Sequence, residues 1–210
     1  MKILNTIKSN PILQLIVAEN LKHNKAYAAP YHNFYHHLVV ANSCLEAAEY
    51  YNLDERPTLE LLVAALFHDF NHSMGKHKDD WNVAEAISYF ENWYTENNFH
   101  YDILNKDTVI NIIKATQYPY VIESDNMTLQ QNIIRDADLT QLLQENRIGQ
   151  VYIGLATEMN LPIEKILEGE SPFIQSVTPC TAWFNIKWQV QKFKILAECE
   201  DLLSYLKLTK

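Results

Sequence analysis

The stretch LELLVAALFHDFNH, residues 59–72, is the part of the sequence that decides the fold. Its first nine residues are apolar except for Glu60. A helix that is apolar on nearly all sides has to be surrounded by other helices, because a surface helix would expose a polar face. The stretch therefore predicts a central helix over about 59–70 in an all-α protein.

Apolar residues at helical spacing predict further helices on both sides of this central one. Alternating strand patterns are absent, and 4 glycines are few for a fold built from strands and tight turns. We expect Thr58 to cap the central helix, and Asp79 or Asp80 to cap the next one. Residues 160–181 contain three prolines and are expected to be irregular. The other predicted helices cover 2–24 with an offset at Pro11, 33–51, 80–97, 106–117, 128–145, 146–159 and 182–208.

The domain organisation follows from the length of the chain. Its 210 residues are within the usual range of one domain, and they contain no repeat and no Gly/Ser linker. We expect a single-domain helical bundle over 1–210. A core that carries the motifs would span about 30–143, and the helices of 146–208 would pack on it.

Charge and cysteine usage exclude several classes of function. The net charge of −9 repels phosphate backbones, which argues against binding a nucleic acid polymer. No apolar run approaches the ~20 residues of a membrane span, and the N-terminal stretch lacks a signal-peptide pattern. The 3 cysteines show no CxxC spacing, which favours free thiols and a cytoplasmic location. The long last helix has the length to form a homodimer contact.

Five of the 8 histidines lie in two short clusters, YHNFYHH (31–37) and FHDFNH (67–72). On a helix, two residues four apart share a face, as His32 and His36 do here. His68 and Asp69 directly follow an apolar run, where a buried charge is costly unless it is paired or metal-bound. Imidazole and carboxylate ligands together favour a site for a divalent metal ion. His37 lies on a different face and is expected to be structural.

A third segment, QNIIRDADLTQLL (131–143), can supply another anionic ligand. Its apolar residues mark a buried helix face, and two aspartates lie among them. Asp138 is flanked by apolar neighbours, so we expect it at the edge of the buried face. It is therefore favoured as the distal ligand, and Asp136 remains the alternative.

Taken in order, these residues resemble the signature of the HD superfamily of metal-dependent phosphohydrolases. That signature is a histidine, a later His-Asp pair and a distal aspartate; it matches His36, His68–Asp69 and Asp138 over about residues 30–143. The details are similar to the cyclic nucleotide phosphodiesterase branch, with Tyr31-His32-Asn33 before His36, and His72 and Gly75 after the His-Asp pair. Guanosine tetraphosphate hydrolases carry an acidic pair after His-Asp, which this chain lacks.

The resemblance implies a role for each of these side chains. His36, His68, Asp69 and Asp138 would bind the first metal ion, and Asp69 would bridge to a second. His32 would be the general acid that protonates the leaving oxygen. His72 would hold water near the second ion. Apart from the resemblance, Lys76 lies in a basic run that follows the His-Asp pair and could meet a substrate phosphate. Asp69 and His32 are thus the predicted catalytic residues, and His72 and Lys76 are the predicted substrate contacts.

The predicted function is thus hydrolysis of a small phosphate ester, a phosphomonoester or phosphodiester with nucleotides among the candidates, by metal-activated water. The residues admit one or two ions of Mn, Mg, Zn, Fe, Co or Ni. One alternative is a di-iron oxygenase of the HD type, which needs extra histidines before the distal aspartate. The other is a non-catalytic binding module on an HD-type fold, although no ligand of the signature is missing.

Overall fold

The computed structural model describes residues 1–208, and all regular structure in that range is helical. The ten α-helices are α1 (Ile3–Ser9), α2 (Pro11–His23), α3 (Phe34–Tyr51), α4 (Glu55–Phe67), α5 (Asp79–Glu96), α6 (Lys106–Lys114), α7 (Leu129–Asp138), α8 (Gly154–Met159), α9 (Ile163–Ser176) and α10 (Ala182–Leu208). Two short 3-10 segments, Ser124–Asn126 and Leu139–Leu143, and one π-helical turn, Ile148–Ile153, complete the regular structure of this range. The predicted all-α class is confirmed.

The helix α4 is the centre of the molecule. Its residues from Leu61 to Phe67 are all buried, and it packs against α2, α3, α5, α6 and α7. Burial of one large aliphatic or aromatic side chain stabilises a fold by about 1.5–3 kcal/mol, so this helix contributes much of the apolar driving force. The helix ends at Phe67, which places His68 and Asp69 directly beyond its C-terminus.

Two predicted helix caps are wrong. The helix α4 begins at Glu55 with Asp54 at the N-cap, so Thr58 lies inside its first turns. The early start is possible because Pro57 occupies the first turn, where a missing N–H breaks no helical hydrogen bond. Similarly, Lys78 is the N-cap of α5, and Asp79 and Asp80 are its first two residues. Acidic side chains in a first turn are still stabilised by the helix dipole.

The expectation of irregular structure at 160–181 is also wrong, because α9 occupies residues 163–176 of this range. Pro162 immediately precedes the helix, and only Pro172 lies inside it. A proline inside a helix costs about 3 kcal/mol. The face formed by Ile166, Leu167 and Ile174 is buried, and α9 packs on α10, so burial offsets that cost.

Three other predicted helices are divided. The first is interrupted at Asn10, whose side chain accepts hydrogen bonds from the backbone of Ile12 and Leu13 and thereby caps α2. The helix expected over 128–145 ends at Asp138 and continues as a 3-10 segment. The segment 146–159 begins with the π-helical turn before α8.

The start of α3, the end of α4 and the end of α7 come together in the folded chain, since α3 packs against both α4 and α7. The 3-10 segment after α7 contacts α10, and α8 packs against α9. Among residues 1–208, no helix combines the length and the apolar character that a membrane crossing requires.

Candidate metal centre

Four side chains from three distant parts of the sequence meet at one point. His36 lies in the first turn of α3, His68 and Asp69 follow α4, and Asp138 is the last residue of α7. The Nε2 atom of His36 is 3.3 Å from Nε2 of His68, 3.4 Å from Oδ2 of Asp69 and 3.0 Å from Oδ1 of Asp138. Nε2 of His68 is 3.1 Å and 3.5 Å from the same two oxygens.

These separations fit the donor set of a metal ion. First-row divalent ions hold nitrogen and oxygen ligands at about 2.1 Å, so neighbouring ligand atoms around them are roughly 3.0–3.4 Å apart. Both histidines are almost fully buried, and the two aspartates are partly buried. The cluster can therefore hold a metal ion. A cation here would also be favoured by the C-terminal end of α4.

The tautomer of each neutral histidine ring is fixed by the hydrogen bond of its outer nitrogen, Nδ1. Nδ1 of His68 donates to the backbone carbonyl of Ala65 at 2.8 Å, and Nδ1 of His36 donates to Oε1 of Gln141 at 2.8 Å. Since each neutral ring carries its proton on Nδ1, each presents the lone pair of Nε2 to the cluster. Such outer hydrogen bonds accompany metal-binding histidines generally.

Protons and metal ions compete for these atoms. Burial alone would lower the pKa of His36, but hydrogen bonds to Asp138 and Asp69 more than offset it and raise the pKa to about 9. Burial likewise opposes ionisation of Asp138, yet the hydrogen bonds from His36 and His68 hold its pKa well below the usual range. Without a metal ion, the cluster is therefore stabilised by a bound proton, which a metal has to displace.

Next to this cluster, His32 is held by Glu158 of α8. Oε1 of Glu158 accepts hydrogen bonds from the backbone N–H groups of Tyr31 and His32, at 2.7 and 2.8 Å. Oε2 accepts from Nδ1 of His32 at 2.6 Å. Burial raises the pKa of Glu158, but the hydrogen bond and charge of His32 together with the two backbone N–H groups outweigh burial and lower it. The ionised carboxylate fixes the ring of His32 and leaves Nε2 as its free nitrogen.

The ring of His72 stacks on that of His32, with the ring centroids 3.6 Å apart. Its Nδ1 accepts a hydrogen bond from the backbone N–H of Met74 at 3.2 Å. Burial and then the charge of His32 lower the pKa of His72 to about 4, so the ring is neutral and carries its proton on Nε2. His32, His72 and Glu158 form a second group close enough to hold an ion, but these hydrogen bonds use both Nδ1 atoms and the carboxylate.

A cavity of about 220 Å³ opens onto the first cluster. His32, Asp69 and Asp138 lie in its wall together with Tyr118, Tyr120 and Phe173. The volume suits a small molecule or part of one. The cavity thus combines metal-ligating carboxylates, a positioned imidazole and aromatic side chains.

The structure brings together most of the predicted site residues, but not all. Asp138 lies in the cluster, whereas the oxygens of Asp136 accept hydrogen bonds from Cys180 and Thr181 at the start of α10. Lys76 is exposed, and neither Lys76 nor His72 is among the residues that line the cavity. The contact of each with a substrate stays a prediction. His37 is buried, as expected for a structural residue, and its Nδ1 contacts the carbonyl of Leu66.

Two functional residues were missed in the sequence. Glu158 is 126 residues from His32, and no local pattern marks it as a partner. Gln141 follows Asp138 by one turn, in the segment that we predicted to be an ordinary helix. The one sequence signal for Gln141 is its position, three residues after the ligand Asp138 and on the buried side of the segment.

The chain matches no protein-family model, and no curated protein is significantly similar to it. The folded chain is an all-helical protein with a buried His/Asp cluster that can bind a metal, which is compatible with an HD-type domain.

Proposed function

We propose that the protein is an HD-type, metal-dependent phosphohydrolase that cleaves a small phosphate ester. The observation that carries this proposal is the convergence of His36, His68, Asp69 and Asp138 beside a cavity whose wall includes His32. One or two divalent ions would complete the site. The ion would polarise the phosphoryl group and activate water, and it would reverse the negative charge that otherwise repels a phosphate.

The roles of the side chains follow from their hydrogen bonds. With a metal ion bound, His36 and His68 would present unprotonated Nε2 atoms, while Asp69 and Asp138 would supply negative charge. When His32 is protonated on both nitrogens, Nδ1–H is held by Glu158 and Nε2–H is free to protonate the leaving oxygen. His72, with a proton on Nε2, can donate to a water molecule or to a phosphate oxygen.

No observation favours the oxygenase alternative. It needs further histidine ligands between His72 and Asp138, and the two histidines available there are His77 and His100. Both are exposed, and His77 stacks on Trp81. The experiment below distinguishes the hydrolase from the other alternative, a non-catalytic binding module.

The decisive experiment measures metal content together with hydrolysis of aryl phosphate mono- and diesters under Mn, Mg, Zn and Fe. We expect bound divalent metal and chelator-sensitive turnover. Asp69→Ala should lower turnover by about a hundredfold or more, since it removes a ligand. Asp80→Ala, an exposed aspartate outside the cluster, is the control and should leave both unchanged. A protein that binds none of these metals and hydrolyses none of these esters would not be a phosphohydrolase.

The general acid is tested by the leaving group. His32→Ala and Glu158→Gln should retain the metal but lose about 10²–10⁴-fold in kcat on an alkyl phosphate ester, which has a poor leaving group. On p-nitrophenyl phosphate, whose leaving group departs without a proton, the loss should be much smaller. Equal losses on both substrates would mean that these residues do not donate the proton.

A cytoplasmic location and a homodimer belong to the same proposal. The three cysteines are free thiols, as expected in a reducing compartment. On α10 the side chains of Val190 and Phe193 are 74% and 72% exposed, and they lie on one face of the helix. Light scattering of the purified protein and of Phe193→Lys measures whether this face joins two copies.

A further inference from the structure

A second cavity of about 300 Å³ lies next to the one at the metal centre. The two cavities share four wall residues, namely Tyr118, Tyr120, Leu139 and Phe173. They are therefore neighbouring compartments that one ligand can span. The second compartment is distinguished by Arg135, which forms part of its wall.

Arg135 differs from the other two arginines of the chain. Arg56 pairs with Glu60, and Arg147 pairs with Glu198. Arg135 is only 5% exposed, yet it makes no ion pair with any carboxylate of residues 1–208. A buried charge is costly unless it is paired, so the missing partner requires an explanation.

The groups around the guanidinium hold it in place without neutralising it. Its Nε donates to the carbonyl of Ala115 at 3.1 Å, and its Nη1 donates to the carbonyl of Ile122 at 2.9 Å. The carbon Cζ lies 4.0 Å from the centroid of the Tyr120 ring. These contacts orient the guanidinium at the cavity wall, but none of them supplies a negative charge.

Neither of the two acidic residues in the wall of this cavity pairs with Arg135. Both oxygens of Asp136 accept hydrogen bonds, from the backbone N–H groups of Cys180 and Thr181 and from the hydroxyl of Thr181. Glu123 is exposed. Neither carboxylate is within ion-pair distance of Arg135, so the guanidinium is the charged group available to a ligand.

We propose that the second cavity is an anion subsite, in which Arg135 binds an oxyanion that belongs to the same molecule as the ester at the metal centre. The proposal rests on the proposed function and specifies its substrate: a phosphate ester with a second anionic group, either phosphate or carboxylate. Arginine suits both groups, because its planar fork matches two oxygens of either anion.

The test uses a thiol as a local reporter and does not depend on hydrolysis. Cys180 lines the second cavity, whereas Cys44 and Cys199 are 0% and 1% exposed. We expect inorganic phosphate or acetate to slow alkylation of Cys180 in the full-length protein by about tenfold at saturation, with or without chelator. The more effective of the two anions identifies the second group of the substrate.

Two variants separate binding from folding. Arg135→Gln should abolish the protection, but it also removes two hydrogen bonds to the backbone. Ser176→Trp fills the cavity from its exposed rim and keeps Arg135, so it should weaken phosphate binding, measured by calorimetry, by at least about tenfold. Gln175→Trp, at an adjacent exposed position that does not line the cavity, should bind phosphate like the wild type.

If neither anion protects Cys180, or if Ser176→Trp binds phosphate as well as the wild type, the subsite does not exist and Arg135 is only a structural clamp. If the anions protect Cys180 but no metal supports turnover, the anion subsite is supported and the proposed hydrolase activity is wrong.

Discussion

Glu170 is buried in the wall of the first cavity, and its Oε1 has no hydrogen-bond partner in the described part of the chain. Burial raises the pKa of this carboxyl from 4.5 to about 7. The folded protein therefore binds a proton at pH values where the unfolded chain has already lost it. Stability gained in this way is fully present below pH 4.5 and is lost as the pH rises through 7.

Glu170→Gln should remove this pH dependence, because the amide has nearly the same shape and does not ionise. At pH 8 we expect the free energy of unfolding to be higher for the variant by up to about 3 kcal/mol, since one pKa unit corresponds to ~1.4 kcal/mol. Near pH 4.5 the two proteins should be about equally stable. Urea unfolding at both pH values measures the difference, with the exposed Glu200→Gln as control. Parallel pH profiles for wild type and variant would contradict the expected ionisation.

At the scale of helices, α8 positions the proposed general acid. Gly154 is its first residue, and a Cβ atom there would lie 2.9 Å from the carbonyl oxygen of Pro30 and 3.1 Å from Cβ of Tyr31. Four residues further along α8, Glu158 holds the backbone of Tyr31 and His32. The close approach at Gly154 therefore sets the distance between α8 and the loop that carries His32.

Gly154→Ala should push α8 and this loop apart and weaken the hydrogen bond between Glu158 and His32. We expect kcat to fall about tenfold on an ester with a poor leaving group, and stability to fall by about 1–3 kcal/mol. Gly169→Ala is the matched control, since nothing lies within 4 Å of a Cβ there and alanine in a helix stabilises by ~0.5–1 kcal/mol. If both variants behave alike in kinetics and thermal melts, the contact at Gly154 does not position the acid.

The sequence predicted the structure correctly where the signal lies in a short segment or in a known motif. The apolar run before His68 predicted the central helix, and the resemblance to the HD signature predicted that His36, His68, Asp69 and Asp138 lie in one cluster. Prediction failed where contacts between distant segments decide, as with the buried face of α9 or the pairing of Glu158 with His32. Neighbouring residues gave no sign of either, because burial and long-range hydrogen bonds depend on the assembled fold.

For the molecule as a whole, the cluster joins helices that are far apart in the chain. His36 and Asp138 are separated by about 100 residues, and a metal ion between them would tie α3, the end of α4 and α7 together. A ligand that binds only the folded state stabilises it in proportion to the logarithm of its concentration over Kd. The metal would also offset part of the net charge of −9.

The stability contributed by metal should therefore depend on pH in a defined direction. In chelator, a proton on His36 stabilises the fold, because its pKa is raised from 6.5 to about 9. This contribution is fully present below pH 6.5 and is lost as the pH rises through 9. A metal ion must displace that proton, so its binding strengthens over the same range.

We thus expect the difference in Tm between metal-loaded and chelated protein to grow from pH 6.5 to 9. His36→Gln should reduce the difference and flatten its pH profile, while the exposed His23→Gln should retain both. Thermal melts with Mn or Zn and with chelator measure this directly. A Tm difference that is large but independent of pH would mean that the metal binds without displacing a proton from His36. In that case Nε2 of His36 is not a ligand, and other atoms of the cluster hold the metal.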